Sequence, residues 1–353
     1  MRALVLAALM LAGCASPPQT APTPAPTREP GTLAVTALLE LSGPRSALGI
    51  AQRDALQVWV DQQQGRGTLR VRWTAVDVAG SEARIVVELR RATEEQPADA
   101  VILGVPLAAY DDTLLRAVEL AKIPVLLTLP APAPPLAGGR WLFALAPTPE
   151  RIDAVVSADL AARGIADPPF RLAPRDADAV RNPAQLAGVR AMRLSGVPRD
   201  YPLLADVLKR VSPVPVAYLS YLTDPRDLGD LKDPALVSLW PGSRHVVGGL
   251  PGDQTSARRD FVKAFTDRHG PPATWAATAF DALALAAAAA EHAASAGAPG
   301  AAAVREGIRD GLEGTVAVGI ATTYAFTPAS HVGPLAGDLS LLRWSGSFVT
   351  AAR

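Results

Sequence analysis

The 353-residue chain is short of nearly everything that builds a metal, redox or nucleic-acid site. It holds one cysteine, Cys14, which excludes an internal disulfide, a Cys-based zinc site and an iron–sulfur ligand set. Its four histidines (His245, His269, His292, His331) stand far apart, with no pair at helical spacing to hold a metal. No charge excess exists: 34 basic residues balance 34 acidic ones, against the basic surplus of a nucleic-acid-binding protein. Only four of the basic residues are lysine, a bias that reads as base composition of the gene rather than chemistry. The chain has no Gly-x-Ser-x-Gly elbow and no phosphate-binding Gly-rich loop with Lys-Ser/Thr. Gly65-Arg66-Gly67 lacks the third glycine of a dinucleotide fingerprint. Asp111-Asp112 is the obvious carboxylate pair, and its place before an apolar-periodic segment makes it a helix start. No residue set points to an enzyme, and no cofactor is expected. Long apolar runs are also missing. The alanine run of Ala276–Ala296 is bracketed by Asp281, Glu291 and His292, leaving about nine apolar residues where a span needs about 20.

What is present begins at the N-terminus. Met1-Arg2 is a short positive segment, Ala3–Ala12 an apolar stretch of about 15 Å, and Leu11-Ala12-Gly13-Cys14 a small-residue site ending in Cys. The pattern is that of a signal peptide over residues 1–13 and resembles the lipobox of bacterial lipoproteins. That resemblance implies lipidation at Cys14, a membrane anchor through lipid only and a place in the cell envelope. With Ala15 next to the Cys it implies outer-membrane sorting in a double-membraned cell. Residues 14–30 carry six prolines and read as an extended tether reaching up to about 50 Å. Without residues 1–13 the chain stays near neutral, so electrostatic steering of a charged ligand is not expected.

From Leu33 the pattern alternates strand and helix. Strands are expected at Leu33–Leu39, Leu69–Val78, Ala100–Leu103 and Pro124–Thr128, and helices at Ala47–Gln63, Ser81–Glu95 (capped by Ser81) and Asp111–Ala121. This is the order of a parallel sheet with helices on both faces. The Pro-rich Pro130–Pro135 reads as a crossing into a second unit. There Thr148–Arg163, Tyr201–Val211, Thr255–His269, Ala276–Ala296 and Gly300–Leu312 read as helices. Val189–Leu194, Val214–Leu219 and His245–Val247 read as strands, residues 165–188 stay ambiguous, and Leu339–Arg343 with Ser347–Thr350 suggest a closing hairpin. The division expected is 31–135 for one lobe, 136–250 for a second, part of 250–315 returning to the first, and 251–353 supplying helices and closing strands to both.

Five stretches, in order, carry a second resemblance. They are Leu41-Ser42-Gly43-Pro44-Arg45-Ser46-Ala47-Leu48-Gly49; Asp77; Val101-Ile102-Leu103-Gly104 with Lys122-Ile123-Pro124-Val125; Phe261–Gly270 with Phe280-Asp281-Ala282-Leu283; and Gly314-Thr315 with Tyr324-Ala325-Phe326 and Leu342–Val349. Together they resemble type I periplasmic binding proteins, in particular the branched-chain amino acid receptors of ABC transporters. The resemblance implies an α/β clamshell of two lobes, each a parallel sheet flanked by helices, closing on a small ligand, with an ABC permease as partner. Ligands of such folds sit at the carboxyl ends of parallel strands, which selects the loops after Leu41, Gly104 and Thr128.

Some positions depart from that pattern. Where amino-acid receptors carry hydroxyl residues, this chain has Val105-Pro106-Leu107 and Leu127-Thr128-Leu129-Pro130-Ala131, and Pro106 and Pro130 lack an N–H. A zwitterion buried without those partners costs several kcal/mol, so a ligand more apolar or less zwitterionic than leucine is expected. Candidate contacts are Ser42, Gly43, Arg45, Pro106, Leu107 and Thr128 in the first lobe and Tyr218, Ser220 and Tyr221 in the second. The other reading is a binding-protein fold that works through protein contacts in the envelope, as the lipoprotein activators of penicillin-binding proteins do.

Overall fold

A computed structural model describes residues 31–63, 69–166, 169–173, 181–195, 200–224, 236–243, 245–246, 255–297, 300–314, 316–344 and 349–351. The signal-like segment, Cys14 and the tether lie outside the described residues.

The first lobe forms as the alternation dictates. Strands β1 (Thr32–Leu39), β2 (Arg70–Asp77), β3 (Ala100–Gly104), β4 (Val125–Leu127) and β5 (Leu142–Ala144) pair in the order β2-β1-β3-β4-β5, all parallel. Strands β3 to β5 are buried throughout, as a sheet covered on both faces requires. Helix α1 (Ser46–Gln63) buries the stripe Leu48, Ala51, Ala55, Val58 and Trp59. Helix α2 (Glu82–Glu94) is capped by Ser81, whose Oγ accepts from the Arg84 N–H. Helix α3 (Asp112–Ala121) is capped by Asp111, which accepts from the Leu114 N–H at 2.6 Å, so the Asp pair starts a helix.

The crossing falls later than the Pro-rich stretch suggests. Leu142–Ala144 is the edge strand of the first sheet, so the chain leaves that sheet after Ala144 and not at residue 136. The reason is local and apolar: Trp141, Leu142 and Phe143 are each 1% exposed or less, and burying them against β4 outweighs the turn signal before them.

The second sheet has the order β13-β12-β9-β8-β7-β6. Its parallel part is β6 (Phe170–Leu172), β7 (Ala191–Leu194), β8 (Val216–Tyr218) and β9 (Ser238–Ser243), covered by α4 (Pro149–Ala162) and α5 (Tyr201–Arg210). Strands β12 (Leu339–Trp344) and β13 (Val349–Ala351) close it antiparallel, the hairpin the tail pattern suggests. A strand at His245–Val247 does not form: His245 and Val246 sit in a turn, and Val247 lies outside the described residues. The strand is instead β9, whose Pro241 and Gly242 disguise it as a loop. Pro241 is tolerated because β8 pairs only with Ser238 and Leu239, leaving no ladder partner for the missing N–H on that side.

The C-terminal helices return to the first lobe. Helix α7 (Thr274–Ser295) packs between α1 and α8 (Gly300–Glu313), with α6 (Ser256–His269) also against α1. This explains why α7 is alanine-rich all round: a Cβ on Gly307 of α8 would stand 2.5 Å from the Ala293 Cβ, so only small residues let the axes approach. Among the described residues no single helix is long and apolar enough to cross a membrane. A short antiparallel pair, β10 (Val316–Val318) and β11 (Thr323–Ala325), precedes the last crossing. One apolar cluster runs from α1 and β1 through α7 to β7–β9, so the connecting region is itself core.

Candidate functional site

The carboxyl ends of both sheets carry the loops of interest. In the first lobe these loops bond chiefly to themselves. Asp77, ending β2, accepts from the Leu41 N–H at 2.9 Å, the Ser42 N–H at 3.3 Å, the Ala79 N–H at 2.8 Å and the Ser42 hydroxyl at 2.6 Å. Chief among these, the Ser42 hydroxyl holds the Asp77 carboxyl down at about 2. Replacing Ser42 by alanine is expected to bring the Asp77 pKa back toward about 4, read by carboxyl NMR titration. Because the folded pKa is depressed, the loop's contribution is present above pH 4 and is lost as pH falls toward 2 in the wild type, whereas in Ser42→Ala it is reduced and stability changes less over that range.

Arg45 is half-exposed and engaged by Glu40, which is 2% exposed: Arg45 donates from Nε to Oε2 at 3.0 Å and from its backbone N–H to Oε1 at 3.2 Å. Gly43 has φ +92°, a conformation that favours glycine. Thr128 takes a supporting place and not a contact position. It is 0% exposed, with its hydroxyl 2.5 Å from Gln52 Oε1, and Gln52 in turn donates to Gly104 O at 3.1 Å. Leu107 is likewise buried in the first lobe's core, its N–H donating to Pro130 O at 3.3 Å, while Pro106 is half-buried beside it. Both residues fall on the inner side of their loops because β3 and β4 are covered on both faces, which directs the first side chains after them into packing.

The second lobe holds a cavity of about 550 Å³ at the carboxyl ends of β6 to β9, flanked by the first turns of α4 and reached from the first lobe by Pro130. Tyr218, Ser220 and Tyr221 all line it, so the structure brings these three together; Ser42, Gly43, Arg45 and Pro106 do not line it. The Tyr218 hydroxyl points to α4, donating to Asp159 Oδ2 at 2.7 Å, and burial raises its pKa. Ser220 Oγ accepts from the Leu222 N–H at 3.2 Å. Tyr221 is 3% exposed and its hydroxyl, which approaches the Thr278 side chain, has no well-formed hydrogen bond among the described residues.

Two cations in this cavity are missed by sequence reasoning. Arg171 and Arg193 are adjacent in the β6–β7 register, and Tyr218 follows in the same row. Arg193 donates from Nη1 to Asp153 on α4, while its Nε is buried without a partner among the described residues. The signal available was Arg193, set between the apolar Met192 and Leu194 of the expected strand Val189–Leu194, which also carries Arg190. Arg171 carried none, because β6 lies in the ambiguous 165–188. Among the described residues Asp153 is the one acidic side chain on the cavity wall, and Arg193 engages it. The cavity, as lined by the described residues, therefore joins aromatic and aliphatic walls to a surplus of positive charge.

Buried hydrogen-bonded side chains hold the connecting segments and the last crossing in place. Asp281 of α7 accepts from the Ile320 and Ala321 N–H groups at 2.6 and 2.8 Å and from the Tyr324 hydroxyl at 2.8 Å. Asp338 accepts from the Thr323 N–H at 2.9 Å and the Thr322 hydroxyl at 2.8 Å, and lies 3.0 Å from His245 Nε2. His331 stacks on Phe143 and spans Leu142 O at 2.8 Å and Glu313 Oε1 at 3.1 Å. Among the described residues no group of His, Cys, Asp and Glu is arranged to hold a metal.

No protein-family model and no curated protein sequence matches the chain. Solved structures do. An extracellular ligand-binding receptor from Rhodopseudomonas palustris HaA2 superposes with a TM-score of 0.72 at 16% identity, covering 91% of this chain and 99% of its own. The branched-chain amino acid substrate-binding protein LivJ from Streptococcus pneumoniae, in complex with isoleucine, gives 0.69 at 13% identity, over 91% and 99%. An ABC-transporter solute-binding protein from R. palustris in complex with benzoate gives 0.70 at 16% identity, over 91% and 95%. At these identities the likeness establishes the fold: the chain has the two-lobed architecture of type I periplasmic binding proteins.

Proposed function

We propose that this chain is an extracytoplasmic solute-binding protein, held by a lipid on Cys14, that takes a small carboxylate with an apolar body and delivers it to an ABC-type permease. The observation that carries the ligand class is the Arg171–Arg193 pair in a cavity otherwise lined by side chains such as Ile152, Val156, Tyr218 and Tyr221. A carboxylate can accept from the unpartnered Arg193 Nε, and charge-assisted hydrogen bonds of this kind are roughly twice as strong as neutral ones. Among the described residues an ammonium finds no equivalent, since Asp153 is engaged by Arg193, so a zwitterion is disfavoured. The benzoate-bound neighbour holds a ligand of the class expected here.

Benzoate is therefore expected to raise the melting temperature of the chain and leucine to do so less. Arg193→Gln should weaken benzoate binding about tenfold or more, measured by calorimetry, the cost of removing one charged hydrogen bond and leaving a carboxylate unpaired. Stabilisation by leucine over benzoate overturns the ligand class, and a well-folded chain that responds to no carboxylate overturns the receptor reading.

The anchor rests on Leu11-Ala12-Gly13-Cys14 and the Pro-rich segment after it. Cys14→Ser is expected to move the protein from the membrane to the soluble fraction and to abolish incorporation of labelled palmitate.

A second reading, a lipoprotein acting through envelope protein contacts, is favoured by one observation: Ser42, Arg45 and Thr128 bond to Asp77, Glu40 and Gln52 in their own lobe. Crosslinking in intact envelopes separates the two. Recovery of permease subunits supports the receptor, and recovery of cell-wall synthases supports the second reading.

A further inference from the structure

On the other flank of α4 lies a second cavity, of about 270 Å³. Its mouth is apolar and open, between the exposed Ala154 and Ala158 of α4 and the exposed Leu335 and Ala336 of the last crossing. Its floor is buried and includes Tyr221 and Thr278. Described residues at three connections between the lobes line it: Leu145 and Pro147 follow β5, Ser243 ends β9, and Ala321 and Thr322 precede the return to β12.

The polar groups around it are nearly all engaged. Arg151 donates to Pro334 O, Ser243 Oγ to Ala321 O, and Thr278 Oγ1 to Thr274 O at 3.1 Å. Asp338 is held by Thr322 and His245. The exception is the Tyr221 hydroxyl, which is enclosed and, beyond its approach to the Thr278 side chain, makes no well-formed hydrogen bond among the described residues. A buried donor left unmatched is costly, and a molecule that offers it an acceptor recovers that cost. The rim carries one charge of each sign, Arg151 and Asp338, so it selects no ion.

We infer that this cavity is a second binding site, for an uncharged, mainly apolar molecule bearing one hydrogen-bond acceptor for Tyr221. A cavity of roughly 150 Å³ takes a benzene ring, so this one admits on the order of ten heavy atoms. Because these three connections line it, its occupant contacts the segments that must move for the lobes to open, and its affinity is linked to their angle. The inference does not depend on the carboxylate reading of the cleft.

The test uses the full-length chain carrying Cys14→Ser, so that no acyl group competes for apolar probes. Acetophenone is compared by calorimetry with cumene, which has the same number of heavy atoms and no acceptor. Acetophenone is expected to bind at one saturable site about fivefold more tightly than cumene, the ratio that one ordinary hydrogen bond carries. Tyr221→Phe should erase that preference. Ala154→Leu, on the exposed face of α4, should abolish binding of both, with Ala158→Leu closing the same mouth as a second variant and melting curves confirming that each is folded. Arg193→Gln should leave acetophenone binding unchanged, which separates this site from the cleft. The inference is overturned by no saturable binding of acetophenone, by binding that survives both alanine-to-leucine variants, by equal affinity for the two probes, or by a preference that persists in Tyr221→Phe.

Discussion

Gly49→Ala is expected to be among the most damaging single-methyl additions in this protein, lowering stability by about 3 kcal/mol and the melting temperature by about 10 °C. A Cβ at Gly49 would lie 2.1 Å from the carbonyl oxygen of Glu40 and 2.6 Å from its carbon. Both are backbone atoms, so no rotamer relieves the contact. Neither partner can retreat. The strand leading into Glu40 is paired on both sides, by β2 and β3, and α1 is backed by α7. Alanine gains about 1 kcal/mol over glycine in helix propensity, which the overlap exceeds. Gly337→Ala is the control, since nothing lies within 4 Å of its added Cβ, and it should change stability by less than about 0.5 kcal/mol. Urea unfolding of the two variants checks the pair, and a wild-type midpoint for Gly49→Ala would refute the packing argument.

The second large effect centres on Asp281, 1% exposed and bonded to three donors of the last crossing. Arg258 clamps the same segment from outside, donating from Nε to Ile320 O at 3.1 Å and from Nη2 to Gly319 O at 3.2 Å. Asp281→Asn keeps the shape but sets an amide N–H₂ against a donor, at a cost of about 3 kcal/mol. Burial pushes the Asp281 carboxyl up to about 7, against the pull of its N–H and O–H donors and of Arg258. A raised folded pKa means the native state binds the proton more tightly than the unfolded chain does. Its contribution is therefore full below about pH 4 and is lost as pH rises to about 7. The stability difference between wild type and Asp281→Asn should shrink between pH 5 and pH 8 by on the order of 3 kcal/mol. Denaturation at the two pH values measures it, and a difference that grows with pH would contradict the burial argument.

Asp281 shows how far the sequence could be read. In the sequence it is one residue of a family-like Phe-Asp-Ala-Leu stretch and a charge that interrupts an alanine run. Its partners, Ile320 and Tyr324, are about 40 residues away, and only the fold brings them to it. The same holds for Ser42 and Asp77, both legible as motif positions but not as a bonded pair. It also holds for Gly49, legible as the second glycine of the loop pattern but not as the place where α1 meets the backbone of Glu40.

By itself, the sequence determined what depends on neighbours within a few turns of chain: the strand–helix alternation, the caps at Ser81 and Asp111, the buried stripe of α1 and the closing hairpin. Side-chain periodicity and cap chemistry act over three to seven residues, so one sequence carries them in full. Only the tertiary structure decided the sheet order, the late crossing at Ala144, the Pro-bearing strand β9, and the face of the second sheet where Arg171, Arg193 and Tyr218 meet. These rest on pairings between residues 17 to 106 apart in the chain, selected by the total apolar area buried rather than by any local preference. The cavities beside α4 are of that second kind, which is why the sequence pointed to Tyr218, Ser220 and Tyr221 as strand-end residues and left the charges around them unread.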